Sequence, residues 1–154
     1  MALRKKGKRI KKAKPIIGKV DIADFPMFNL ENVNVKIDSG AYTSTIHCSD
    51  IEQTEKGLRV VFLDENESGY TGESIYFQDF DQKKVRSSSG EMQLRYIIQG
   101  NIVLFGKKHT TEFTLSNREL MRYPVLLGRK LLSNRFMIDT TLSNESYNNK
   151  TRTT

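Results

Sequence analysis

Asp38, Ser39 and Gly40 are the residues of this chain whose types and spacing promise chemistry. Val35 and Ile37 alternate with polar Asn34 and Lys36, so the acid stands where a half-buried strand ends and a tight turn begins. The small residues that follow let the backbone fold close beneath the carboxylate, and glycine at position 40 is open to angles that a side chain forbids. A carboxylate presented on such a turn is equipped for general acid–base work on a water molecule. The tripeptide by itself equally fits an Asx turn that merely caps a strand.

A second stretch, Val125 to Leu132, gives the turn a partner: an apolar run, then Gly128-Arg129 and a short helical segment. Asp38-Ser39-Gly40-Ala41 taken with Leu126-Leu127-Gly128-Arg129 resembles the retropepsin-like aspartic peptidases. The likeness is closer to a bacterial branch labelled ATP-dependent zinc protease and found beside ATP-grasp ligases. Its recurring pieces are similar to Lys36 through His47, Val85 through Gly90, and Met121-Arg122-Tyr123-Pro124 ahead of the Gly-Arg pair. The resemblance spans roughly Ile16 to Thr140 and implies an all-β fold, a closed acid-protease barrel with one short C-terminal helix.

An aspartic peptidase needs two carboxylates facing each other across one water. They share a proton, because both cannot ionise at that range. The ionised member takes a proton from the water, and the protonated one hydrogen-bonds the carbonyl oxygen as it becomes anionic. This chain has one such turn. Asp139, the nearest alternative, lacks the glycine and reads as an ordinary strand-end acid. A complete site therefore calls for a homodimer in which each copy donates Asp38.

The resemblance implies further roles. Ser39 would bond across the dimer and stiffen the acid turns, though its hydroxyl also suits local turn bonding. Ala41, Leu126, Leu127, Gly128 and Arg129 would support the acid loop, the arginine pairing with an acid that this sequence does not supply at the usual place. Ser87, Ser88, Ser89 and Gly90 would form the tip of a flap that closes over a peptide or protein substrate. Lys83, Lys84 and Arg86 beside them favour acidic peptides, such as a glutamate-rich product of a neighbouring ligase.

Metal chemistry needs three or four ligands in a workable arrangement. His47, Cys48 and His109 are the candidates, with no His-Glu-x-x-His and no paired cysteines, so no metal or other cofactor is expected. Adjacent residues on a strand face opposite ways, which leaves His47 as a polar contact near the acid loop and Cys48 as a small buried residue. No glycine elbow marks a nucleophile, and no phosphate-cradling loop marks ATP.

Eight cations and no acid lie in residues 1–14, leaving 17 basic against 18 acidic residues beyond them. The net charge of +7 thus belongs to a basic arm, residues 1–15, a solvated segment or a holder of RNA or an acidic partner. The peptidase-like domain is expected over residues 16–140 and a polar, mobile C-terminal tail over 141–154. One cysteine, no long apolar run and no signal-like segment point to a soluble cytoplasmic protein. A non-catalytic barrel that grips an extended peptide is the other reading of the same pattern.

Overall fold

The computed structural model describes residues 13–86, 89–117 and 122–149. Its strands are β1 (Ile16–Ile17), β2 (Val20–Phe25), β3 (Leu30–Ile37), β4 (Ser44–Thr54), β5 (Gly57–Phe62) and β6 (Ser74–Phe77). They continue as β7 (Asp81–Arg86), β8 (Met92–Leu104), β9 (Lys107–Ser116), β10 (Val125–Leu127) and β11 (Met137–Ile138), with helices α1 (Arg129–Leu132) and α2 (Glu145–Asn149). Six strands close a barrel in the order β10-β3-β2-β8-β9-β4, because β10 pairs with both β3 and β4. The expected all-β barrel with a short helix after Gly128 is the observed one.

The barrel closes because β4 serves two neighbours. Residues Ser44–His47 pair in parallel with β9, and Cys48–Thr54 pair antiparallel with β5. A register shift between Cys48 and Asp50 bends the strand between those partners. The result is one bulged strand of eleven residues. The strand β8 runs through Gly100 without a break and is thirteen residues long.

Phenylalanines fill the interior. Phe28 stacks on Phe62 at 4.4 Å and meets Phe113 and Phe77 edge-on, while Phe25 packs on both Phe28 and Phe113. The glycine at position 100 is what admits this ring: a Cβ there would stand 2.3 Å from Phe28 Cζ. Pro26 starts the 3₁₀ turn over Pro26–Phe28 that swings Phe28 inward.

Residues 141–149, expected to trail as a tail, are held in place. Lys19 N–H donates to Leu142 O at 2.9 Å and Asn144 N–H to Val20 O at 2.9 Å. Asp21, 1% exposed, accepts from the N–H groups of Ser146 (2.9 Å), Tyr147 (3.1 Å) and its neighbour Ile22 (2.8 Å). A buried carboxylate thus takes up donors at the start of α2, which a hydropathy reading of a polar segment does not anticipate. Asp21→Asn turns an amide donor toward one of those donors and should cost roughly 2–3 kcal/mol. Urea unfolding measures the loss, and limited proteolysis should find new cuts beyond Thr140.

Candidate active site

The acid turn hangs between two strands that β10 bridges. β10 runs parallel to β3, pairing Leu127 with Ile37, and antiparallel to β4, pairing Leu126 with Thr45. Asp38 N–H donates to Leu127 O at 2.9 Å, which fixes where the strand stops and the turn begins. Within the turn Asp38 Oδ1 accepts from Gly40 N–H at 3.1 Å, and Asp38 O accepts from Ala41 N–H at 3.1 Å. Asp38 is half-buried, whereas Ser39 and Gly40 are exposed.

Helix α1 locks the far side of the turn. Its leading N–H groups have no partner within the helix, and acid-loop carbonyls accept them. Arg129 N–H donates to Ala41 O and Lys130 N–H to Tyr42 O, both at 2.8 Å. Gly128 N–H donates to the buried Ser44 Oγ at 3.1 Å. Position 128 has no room for a side chain, since a Cβ would lie 2.7 Å from the carbonyl oxygens of Tyr42 and Thr43. Leu127 is fully buried behind the turn, but Leu126 faces the other way and stays half-buried.

The partner of Arg129 is a backbone group. Its Nη1 donates to Ser39 O at 3.0 Å, and its guanidinium carbon lies 5.8 Å from the centre of the Tyr42 ring. The arginine therefore grips the turn from outside without the acid that the family pattern pairs with it. Gly40 also departs from expectation. It has no positive φ, and a Cβ there would meet Asp38 Oδ1 at 3.4 Å, so what the turn takes from it is an N–H and an uncovered face. Tyr42 and Ser44 carry no motif signal; only the buried hydroxyl in an otherwise β-branched run hinted at the latter.

β7 and β8 form the expected hairpin, paired from Asp81 with Ile97 to Arg86 with Met92. Ser87 and Ser88 lie outside the described residues. Ser89 and Gly90 are exposed at the tip, and Gly90 O accepts from Arg86 Nη1 at 3.1 Å. Lys83 stands directly across from Arg95, two like charges in facing positions of one hairpin.

The three zinc candidates do not converge. Cys48 is fully buried, and burial pushes its thiol far up, so the thiolate that would bind metal or attack is not formed. His47 lies beside Pro124, whose carbonyl its N–H reaches at 2.7 Å, at the end of β10 away from Asp38. It is no contact of the acid loop: its Nε2 meets Asp64 Oδ2 at 2.9 Å. With Glu67 these form one group of ligand atoms within 4.8 Å, but Glu67 Oε1 already accepts from Asp64 N–H at 2.7 Å. The group ties the loop after β5 to the barrel and stands apart from the acid turn. Asp139 is a capping residue, held below the usual carboxylate range by the hydroxyl and N–H of Thr141.

The profile of the RimB-like family, described as retropepsin-like aspartic endopeptidase RimB, matches residues 16–147. The chain belongs to the RimB-like family. Within curated proteins this RimB-like chain is 32% identical over 128 residues to a "Probable alpha-L-glutamate ligase" of Shewanella halifaxensis, covering 80% of the chain and 28% of that protein. A protein of the same name from Desulfotalea psychrophila is 31% identical over 134 residues, covering 84% and 29%. The RimB-like chain thus spans less than a third of the length of these relatives. A crystal structure of a Legionella pneumophila protein of unknown function shares the fold, with TM-score 0.67, 24% identity, and coverage of 87% of this chain and 99% of that one. No described helix is long and apolar enough to cross a membrane.

Proposed function

We propose that two copies of this chain assemble into an aspartic endopeptidase, each giving one Asp38 to a shared water-activating pair. The observation that carries this reading is the asymmetry of the acid turn. Its inner side is fixed by Leu127, Gly128 and the start of α1, while Ser39 and Gly40 are exposed to solvent and Arg129 holds Ser39 O from outside. Such a turn is rigid but unfinished, and a two-fold axis beside it supplies the missing carboxylate. The water attacks a peptide carbonyl as one Asp38 takes its proton, and the other donates to the carbonyl oxygen.

The surface offers a second copy something to hold. β1 and β11 form a separate two-stranded parallel sheet whose Ile16, Met137 and Ile138 are exposed. Open strand edges with apolar side chains invite pairing with another chain. A statine-type inhibitor, whose hydroxyl sits between two carboxylates, tests the reading. It should raise the melting temperature of the native protein and leave Asp38→Asn unmoved; no shift in either defeats the proposal.

The flap favours an acidic substrate. Lys83, Lys84 and Arg86 lie on β7, with Arg95 opposite. In keeping with this, the relatives matched over part of their length are longer proteins named "Probable alpha-L-glutamate ligase". Glutamate-rich peptides should be cut about tenfold faster at low salt than neutral peptides of equal length, with the advantage fading as salt rises. Equal rates would remove the preference.

A further inference from the structure

β3 carries a cation two residues before the acid. Alternation along the strand turns Ile37 into the barrel and sets Lys36 and Asp38 together on the outer face. The bond from Asp38 N–H to Leu127 O carries the ladder past Ile37, so the alternation holds through the acid. At the rise of a strand the two Cα atoms stand about 7 Å apart, within reach of a lysine stem. Lys36 is exposed, and among the described residues no carboxylate lies within ion-pair distance of its ammonium. A lysine on the outside of a strand is ordinarily a solvated charge. Two observations set this one apart.

The first is the row it stands in. Register places Lys36 beside Leu126 on β10, Leu126 beside Thr45 on β4, Thr45 beside Thr114 on β9, and Thr114 beside Ile97 on β8. Paired residues share a face, so these side chains form one strip on the outside of the barrel. The strip runs from the strand of the acid turn to Ile97, which pairs with Asp81 at the root of the β7–β8 hairpin. It is the floor over which that hairpin stands. Leu126, Thr45, Thr114 and Ile97 are half-buried and uncharged, which leaves Lys36 as the one charge of the five.

The second is what pairing does to that charge, on the shared-site reading given above, on which this inference rests. When two copies meet at their acid turns, the floor becomes the bottom of a closed cleft and loses water. An ammonium covered in this way is costly unless an anion meets it. The Asp38 pair carries a single negative charge, already engaged with the water it activates, whereas two copies bring two ammoniums. The missing anion has to arrive with the substrate.

We propose that Lys36 is a specificity residue, receiving the carboxylate of the substrate side chain that adjoins the scissile bond while Leu126 takes its methylene stem. The two-fold relation of the copies puts one Lys36 on each side of the bond, so a long acidic side chain is read both before and after the cut. The flap cations act differently. Lys84 and Arg86 lie exposed along the hairpin and draw in an acidic segment as a whole, without choosing which of its bonds meets the water. Lys36 can choose, because β3 is paired on both sides of it, with Val20 on β2 and Leu126 on β10, and holds it at a fixed place beside the acid.

Two statine-type inhibitors test this, identical except for glutamate or glutamine directly before the statine unit, whose hydroxyl fixes the register against Asp38. Isothermal titration of the full chain at low salt should give about tenfold tighter binding of the glutamate compound. Lys36→Met, which keeps the stem and removes the charge, should bring the two affinities together, and Lys36→Glu should reverse their order. Circular dichroism confirms that both variants keep the fold. A glutamate preference that survives Lys36→Met would assign the choice to the flap cations and overturn the proposal. An equal loss of both compounds would overturn it too, because the lysine would then serve the Asp38 pair itself. If the native chain binds neither compound, the shared acid pair falls and this reading falls with it; if it binds both equally, the role of Lys36 alone fails.

Discussion

Asp38→Asn is expected to fold like the native chain and to hydrolyse peptides more slowly by a factor of roughly 10²–10⁴ or more. The amide oxygen still accepts the Gly40 N–H that Asp38 Oδ1 accepts, so the turn keeps its shape. What is lost is the carboxylate that takes a proton from water, and circular dichroism with a peptide-cleavage assay separates the two outcomes. Mixing gives the sharper result. When equal amounts of native and Asp38→Asn chains re-equilibrate, paired sites that need both acids fall to about a quarter of the native activity per total protein. Chains that act alone would retain half. Half the activity, or full activity of Asp38→Asn alone, sinks the shared site.

Gly128→Ala should carry the largest stability loss of any single methyl added near the site, about 3 kcal/mol. The new Cβ would lie 2.7 Å from two backbone carbonyl oxygens, Tyr42 O and Thr43 O, neither of which can rotate away as a side chain would. Relief requires α1 to move off the loop. That breaks the hydrogen bonds from Arg129 N–H and Lys130 N–H and shifts the turn that carries Asp38. Activity should therefore fall further than the folded fraction accounts for. Chemical denaturation gives the first quantity and turnover corrected for folded protein gives the second. A variant of native stability would show that the backbone of the loop is softer than its hydrogen bonding implies.

The barrel was legible because its strands alternate and its turns are short; β8, with Ile98, Ile102 and Leu104 inward, needs no tertiary information to be recognised. The acid turn was legible for another reason, since Gly128 and Arg129 act on the backbone at fixed places and leave a motif. What failed to show is long-range pairing that carries no pattern. Nothing near Asp21 in the sequence announces that it accepts from residues 125 and 126 positions later. The family pattern also gives no sign of the Arg129 partner, because it pairs the arginine with a side chain where this chain offers Ser39 O. His47 misled in the same way. Its place on β4 fixes which strand it belongs to, but only the fold of the following loop brings Asp64 to it.

The single cysteine of this chain is wholly inside the barrel, with its proton firmly retained. The molecule thus presents a chemically silent exterior to thiol reagents. A cysteine written into exposed position 42, beside the acid turn, would be the sole point of attachment for a spin label. Dipolar spectroscopy would then yield the separation of two such labels in solution, a ruler laid across whatever axis relates one copy to another.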